Sequence, residues 1–322
     1  MFTLEQVTGI LVVGAGKMGG DAIAQFLEGG LNVFAYDQVS AVRESLKGRT
    51  LKTLQWIEQK RKDADKQRVH PCGFADEAIK RLTVLDSLEK NLVEPDFQIV
   101  FEAIFEDMKA KQELFDSIVG EVPTSCIFWT NTSSLNVLEM GRPAGIEEHL
   151  VGTHFMNPVH IMKGVEMVWT TEVDPEVFKL SARVIEEKLG KFPFEVTNVS
   201  GFWVNKIFVP MALEAMRALE RGEIDVPNGD KGLKVSLGHP QGIFQLCDQI
   251  SIPTMYRVAM AMYIATQDPR LYPPSILARM FKSKKHGVAT GSGFWNWQDG
   301  KQTTPVDFTN WQIKQSDTQL FA

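Results

Sequence analysis

Gly9-Ile10-Leu11-Val12-Val13-Gly14-Ala15-Gly16-Lys17-Met18-Gly19 decides how the rest of the chain is read. Its first residues form a short apolar run behind a glycine, the pattern of a strand buried on both faces of a parallel sheet. From Met18 the period changes, and Met18, Ile23, Phe26 and Leu27 fall on one side of a helix that Gly29-Gly30 ends. Between strand and helix the glycines have separate duties. Gly14 permits the tight turn, Gly16 lets the backbone approach a pyrophosphate, and Gly19 lets helix and strand pack closely. The helix N-terminus, with Lys17 and Met18, then faces the phosphates. A glycine pattern alone is weak, but here the next strand, Asn32-Val33-Phe34-Ala35-Tyr36, closes on Asp37, an acid about 20 residues on. Its carboxylate is suited to the adenosine ribose hydroxyls and repels a 2′-phosphate, so NAD is expected rather than NADP.

Working outward, further strands are expected at residues 82–85, 97–101, 126–130, 150–153, 165–170 and 192–196. Residues 40–80 are too long for a simple strand connection, polar and helical in character. They read as an inserted helical hairpin. Lys47, Arg49, Lys52, Lys60, Arg61, Lys62, Lys66 and Arg68 outnumber the acids Glu44, Glu58, Asp63 and Asp65 there. That basic stretch reads either as a solvated helix face or as a site for a polyphosphate handle. At Ser200-Gly201 the strand–helix alternation stops. Beyond it the sequence is helical in character, with Met211, Leu213, Ala215, Met216 and Leu219 apolar and Pro210 placed to kink a helix. The expectation is α/β: a Rossmann-type, mostly parallel sheet with an inserted helical hairpin over residues 1–200, followed by an all-α domain over 201–322. The apolar positions of that second half exceed what one small helical domain needs, which points to a subunit interface.

Composition fits this reading. The 322 residues are 44% hydrophobic and 23% charged, ordinary for a globular chain with a large core. A net charge of −6 gives no global reason to expect nucleic acid or an anionic membrane as partner. Cys72, Cys126 and Cys247 are widely spaced and without a CxxC pair, which argues for a reducing compartment and a cytoplasmic protein. The pairs His154/His160 and His70/Cys72 lack the ligand count of a zinc site, so no metal is expected.

Two stretches carry candidate chemistry. Gly152-Thr153-His154-Phe155-Met156-Asn157-Pro158 puts a histidine at the end of an apolar run, with Glu166 beyond the next turn: a base and its orienting acid. Asn131-Thr132-Ser133-Ser134 follows another strand, at the edge where Glu106 also lies. Taken alone, that tetrad is most simply a helix cap with Ser133 or Ser134 as N-cap.

In this order the glycine loop, Asp37, the Asn131 tetrad, the His154 stretch and Glu166 resemble the L-3-hydroxyacyl-CoA dehydrogenase family. The likeness runs over nearly the whole chain. It includes Phe101-Glu102-Ala103-Ile104-Phe105-Glu106, Gly201-Phe202-Trp203-Val204-Asn205, Gly238-His239-Pro240-Gln241-Gly242 and Thr290-Gly291-Ser292-Gly293-Phe294. The resemblance implies an NAD-dependent dehydrogenase of 3-hydroxyacyl-CoA acting as a homodimer in fatty acid metabolism. His154 would be the base and Glu166 its partner, with Ser133 and Asn205 at the reacting oxygen. Glu106, Lys111 and Asn157 fall on cofactor-contact positions, and the basic hairpin, with Lys60, on the coenzyme A phosphate site. Three departures from the family pattern stand out: Ala289 for a lysine, His160 for a proline, and Gly164 for a large apolar residue. A dehydrogenase of a free hydroxy acid and a catalytically idle NAD-binding relative are the rival readings.

Overall fold

In the computed structural model, which describes residues 2–64, 70–88, 92 and 96–311 and no side chains of 61–64, the chain divides into two compact units, Met1–Phe202 and Trp203–Ala322. The first unit is built on strands β1 (Gly9–Val13), β2 (Asn32–Tyr36), β3 (Leu82–Val84), β4 (Ile99–Glu102), β5 (Ile127–Thr130), β6 (Leu150–Phe155), β7 (Gly164–Trp169) and β8 (Phe192–Thr197). They form one sheet in the order β3-β2-β1-β4-β5-β6-β7-β8. The order reverses direction between β1 and β4, the crevice in which open α/β sheets bind ligands.

All described pairings in this sheet are parallel except β6 with β7. The cause is chain length. Only residues 156–163 join these two strands, short of the dozen or so that a parallel crossover needs. The chain therefore turns back on itself, and the antiparallel register sets His154 directly opposite Glu166.

Helices α1 (Lys17–Glu28), α2 (Ser40–Ala64), α3 (Phe74–Ala78), α4 (Met108–Val119), α5 (Val137–Gly141) and α6 (Pro175–Arg183) accompany the sheet. Phe26 of α1 meets Phe101 of β4 edge-on at 5.1 Å and Phe155 of β6 at 6.0 Å, and all three are fully buried or nearly so. Each ring contributes roughly 3–5 kcal/mol against truncation to alanine. This aromatic contact fixes the backbone next to His154 against the helix that follows the glycine loop.

The basic insert is lopsided rather than an even hairpin. A 25-residue helix, α2, is followed by the five-residue α3. Glu58 of α2 caps the short helix, accepting from Gly73 N at 3.1 Å and Ala75 N at 3.0 Å. His70 is stacked on Phe74 at 3.8 Å and bonded to the buried Glu28 at 2.8 Å, which ties the return to α1. Lys66 and Arg68 lie outside the described residues.

The second unit packs α7 (Val204–Glu220), α8 (Val226–Leu237), α9 (Ile243–Ile250), α10 (Ile252–Thr266) and α11 (Ser275–Lys282) around their own core. Pro210 is accommodated within α7, which runs on as one helix. The unit is helical but not purely so, because β9 (Trp295–Gln298) and β10 (Lys301–Pro305) form an antiparallel ribbon. Asp299 and Gly300 join them with φ of 51° and 73°, the two positive values of a type I′ turn. Among the described residues no helix is long and apolar enough to cross a membrane.

Candidate active site

The glycine loop leaves β1 with the geometry its sequence requires. Gly14 has φ +93°, and a Cβ there would lie 2.6 Å from the Ala103 carbonyl. A Cβ at Gly19 would lie 1.8 Å from the Gly14 oxygen, so helix and turn touch. Gly16 differs: a Cβ there would meet nothing within 4 Å. No protein contact requires a glycine there. Gly16 is also the N-cap of α1 and supplies no side-chain cap, so the first-turn N–H groups face the same opening.

Asp37, just after β2, accepts from Ala15 N at 2.8 Å and from Val39 N at 2.9 Å. Each oxygen has a second lone pair for a ribose hydroxyl. Between α1 and α2 lies a cleft of about 590 Å³ whose walls include Gly16, Lys17, Asp21, Ser45 and Arg49. Arg49 reaches back to donate to the Ala15 carbonyl at 3.0 Å, joining the insert to the loop. Burial pushes the Asp21 carboxyl up against the pull of His160, Lys17 and Arg49. A slightly larger cavity of about 660 Å³, walled by Phe128, Ile146 and His149, lies toward the amino ends of β5 and β6, away from the ligand edge.

At the carboxyl ends of β4 and β5, charges organise the loops. Glu106 Oε1 accepts from Thr132 Oγ1 at 2.7 Å, Ser133 N at 2.8 Å, Ser133 Oγ at 3.2 Å and Ser134 N at 3.2 Å. Burial alone would push this carboxyl up. The Lys111 ammonium, the Thr132 hydroxyl and the Ser133 N–H outweigh it and hold the group below the usual carboxylate range. The tetrad is thus not the cap of the next helix. That place belongs to Asn136, whose Oδ1 accepts from Glu139 N at 3.1 Å.

Lys111, expected at a cofactor-contact position, is only 1% exposed and turned inward. Its Nζ lies 2.6 Å from Glu102 and 3.3 Å from Glu106. Its burial has a plain cause: Lys111, Phe115 and Ile118 share the buried stripe of α4, so the lysine stem packs with the core. Glu102, quoted in the sequence only as part of a strand end, proves to be its fully buried partner. An acid ending the otherwise apolar strand Ile99–Glu102 was the available signal.

His154 Nδ1 and Glu166 Oε2 are 2.7 Å apart across the β6–β7 pair. Glu166 is fully buried, and the His154 side chain keeps 11% of its surface exposed. Engaging Nδ1 this way leaves Nε2 for a substrate and makes Nδ1–H the protonated tautomer. Asn131 Oδ1 accepts from Phe155 N at 3.0 Å, bracing the end of β6 from the Ser133 loop. Phe202 stands 5.9 Å from the imidazole.

Of the remaining expected residues, Asn157 is exposed just after β6, Lys60 is exposed on α2, and Asn205 lies in the first turn of α7 in the second unit. His160 packs edge-on against Trp56 of α2 at 4.9 Å, with Nδ1 4.0 Å from Asp21. The space beside Gly164 is bounded by Phe194, which a Cβ would meet at 3.4 Å.

Comparison with known proteins agrees with this geometry. Residues 9–199 match the family model for the 3-hydroxyacyl-CoA dehydrogenase NAD binding domain, and residues 201–297 match that for the C-terminal domain of the same family. The human mitochondrial hydroxyacyl-coenzyme A dehydrogenase is 30% identical over 90% of this chain and 91% of its own. A 3-hydroxybutyryl-CoA dehydrogenase of Mycobacterium tuberculosis is 29% identical over 89% of this chain and 97% of its own. Among solved structures, M. tuberculosis FadB2 superposes with a TM-score of 0.83 at 28% identity, over 91% of this chain and 99% of that one. With both family models matched in sequence order over most of its length, the chain belongs to the 3-hydroxyacyl-CoA dehydrogenase family.

Proposed function

We propose that the protein interconverts a 3-hydroxyacyl-CoA and its 3-ketoacyl-CoA with NAD, and that His154 carries the proton. The observation on which this rests is the buried His154–Glu166 contact at 2.7 Å, set by strand register at the ligand edge of the sheet. In oxidation His154 Nε2 accepts the hydroxyl proton while the C3–H bond breaks and the C3–O bond becomes a carbonyl. Glu166 keeps the tautomer in place and stabilises the imidazolium as it forms. Ser133 Oγ, whose one proton turns from Glu106 to the substrate, and Asn205 donate to the substrate oxygen and hold it in line. In reduction the imidazolium returns the proton.

NAD, when bound, supplies the two-electron acceptor for the hydride leaving C3. The opening at Gly16, the first turn of α1 with Lys17 and Met18, and Asp37 would hold it, and Asp37 would disfavour a 2′-phosphate. Glu106, Lys111 and Asn157 would complete its contacts at the strand ends. On this reading the first unit binds the dinucleotide, and Lys60 on α2 meets the coenzyme A phosphates. The second unit carries Asn205 and the dimer contact. A homodimer is supported by the apolar stripe Trp203, Ile207 and Met211 at the start of α7, 58%, 53% and 36% exposed. Free cysteines at all three positions support a reducing, cytoplasmic setting.

The test is steady-state turnover of a 3-hydroxyacyl-CoA and of the matching free acid, each with NAD and NADP, beside molar mass by light scattering. Saturable turnover of the thioester with NAD by a dimer is expected. Turnover of the free acid alone would overturn the thioester assignment.

A further inference from the structure

Behind Ser133 lies an acid that reaches no ligand-facing surface. Glu102 ends β4 with no exposed surface. Its Oε1 accepts from Lys111 Nζ at 2.6 Å and Ile104 N at 2.7 Å, and its Oε2 from Thr130 Oγ1 at 2.6 Å. Thr130 is its register partner on β5. Stability does not explain this arrangement, because a buried ion pair roughly breaks even with apolar side chains of the same volume. What the pair holds in place has to explain it.

Lys111 is the joint. Its ammonium sits 2.6 Å from Glu102 and 3.3 Å from Glu106, so one positive charge serves two carboxylates. Burial pushes the Glu102 carboxyl up against the pull of Lys111, Thr130 and the Ile104 N–H. Glu106 turns Oε2 to the lysine and Oε1 outward to the turn of Thr132, Ser133 and Ser134, whose N–H and O–H groups converge on it. Without the Glu102 charge, Lys111 is free to close on Glu106. A carboxylate drawn inward by a few tenths of an ångström loosens every bond from that turn.

We propose that Glu102 is a positioning residue for Ser133: it holds Lys111 back, so that Glu106 stays turned to the Thr132–Ser134 turn and fixes, through the Ser133 N–H, the place from which the Ser133 hydroxyl acts. This rests on the reading of Ser133 as donor to the substrate oxygen, and it adds to that reading a residue that touches neither substrate nor cofactor.

Glu102→Gln is nearly isosteric and removes the charge facing Lys111; its amide oxygen keeps the Lys111 and Ile104 N–H side, and its NH2 donates to Thr130 Oγ1 instead of accepting from it. Two measurements decide. Hydrogen exchange at the Ser133 and Ser134 amides is expected to be about 10-fold faster in Glu102→Gln. Unchanged exchange overturns the proposal whatever the activity. In a double-mutant cycle, Glu102→Gln alone is expected to lower kcat about 10-fold with KM for the acyl-CoA within about threefold. In a Ser133→Ala background it is expected to lower kcat no further, because the path runs through that hydroxyl. Losses that multiply would overturn the proposal, showing instead a general structural defect. If the native protein turned over no 3-hydroxyacyl-CoA, the functional reading would fall, while amide exchange would still decide the positioning.

Discussion

Replacing Glu166 with glutamine isolates what the carboxylate contributes beyond holding the ring. Glutamine has the same shape, and its amide oxygen can still accept from Nδ1–H, so orientation and tautomer survive. The charge does not. At an Nδ1–Oε2 separation of 2.7 Å the centres of imidazolium and carboxylate stand about 4 Å apart. Two unit charges at that distance attract by about 4 kcal/mol at an effective dielectric near 20. The amide dipole recovers a part, leaving about 3–4 kcal/mol missing from a transition state in which His154 becomes positive. That corresponds to a kcat about 10²–10³-fold lower.

The stability cost is far smaller, about 1 kcal/mol, because imidazole can remain neutral and no buried charge is stranded. The assay is stopped-flow oxidation of a 3-hydroxyacyl-CoA followed by NADH absorbance, beside NAD binding and thermal melting. NAD affinity and melting temperature are expected to stay close to those of the native protein. A Glu166→Gln protein within about threefold of native kcat would refute the reasoning, since the pair would then contribute geometry alone.

Gly16→Ala is expected to fold normally, because its methyl meets no protein atom, yet to bind NAD at least 10-fold more weakly in calorimetry. Gly19→Ala, whose methyl would press on the Gly14 oxygen, is expected to be recovered mostly unfolded by circular dichroism. Ser133→Ala should lower kcat about 10²–10³-fold at nearly constant NAD affinity, the usual cost of one donor to a reacting oxygen. In the second unit, burial above all raises the Asp248 carboxyl to about 6, against the donors Trp297, Trp295 and Phe294. The folded state then holds this proton more tightly than the unfolded state. Stability from this group is therefore fully present below the ordinary carboxyl pKa near 4 and is lost as pH rises through about 6, by at most about 3 kcal/mol. Melting curves between pH 4 and 8 should show that decline, and Asp248→Asn should flatten it.

The parts of this molecule legible in its sequence are those whose constraints are local. Gly14 and Gly19 announce themselves because a turn and a close approach allow no side chain, and their surroundings are as tight as the pattern requires. His154 and Glu166 could be paired because so few residues separate their strands. What escaped is long-range. Whether Lys111 turns out to a ligand or in to Glu102 depends on a partner at the end of another strand, and a lysine on a buried helical stripe fits either outcome until that strand is placed. Ser133 or Ser134 was a sound guess for a cap by type, but Glu106, 27 residues before Ser133, claims both, and the cap passes to Asn136. The ribbon was within reach of local reading. Trp295-Asn296-Trp297-Gln298 alternates and Asp299-Gly300 follows, but the helical character of the surrounding sequence hid it.

Register also explains why chemistry and substrate choice are separable here. Glu166 faces His154 because β6 and β7 pair antiparallel, a main-chain relation that the side chains of residues 156–163 can vary without disturbing. His160 is one of those side chains, and it reaches away from the pair to Trp56 on the insert and toward Asp21 on α1. Trp56 lies one helical turn before Lys60, which the proposed function sets at the coenzyme A end of the substrate. On the proposed reading, an acyl thioester anchored at Lys60 and reacting at His154 therefore spans the segment that carries His160. Changes at His160, Trp56 or Asp21 can redraw which acyl groups fit while the base, its acid and the Ser133 turn stay where the sheet puts them.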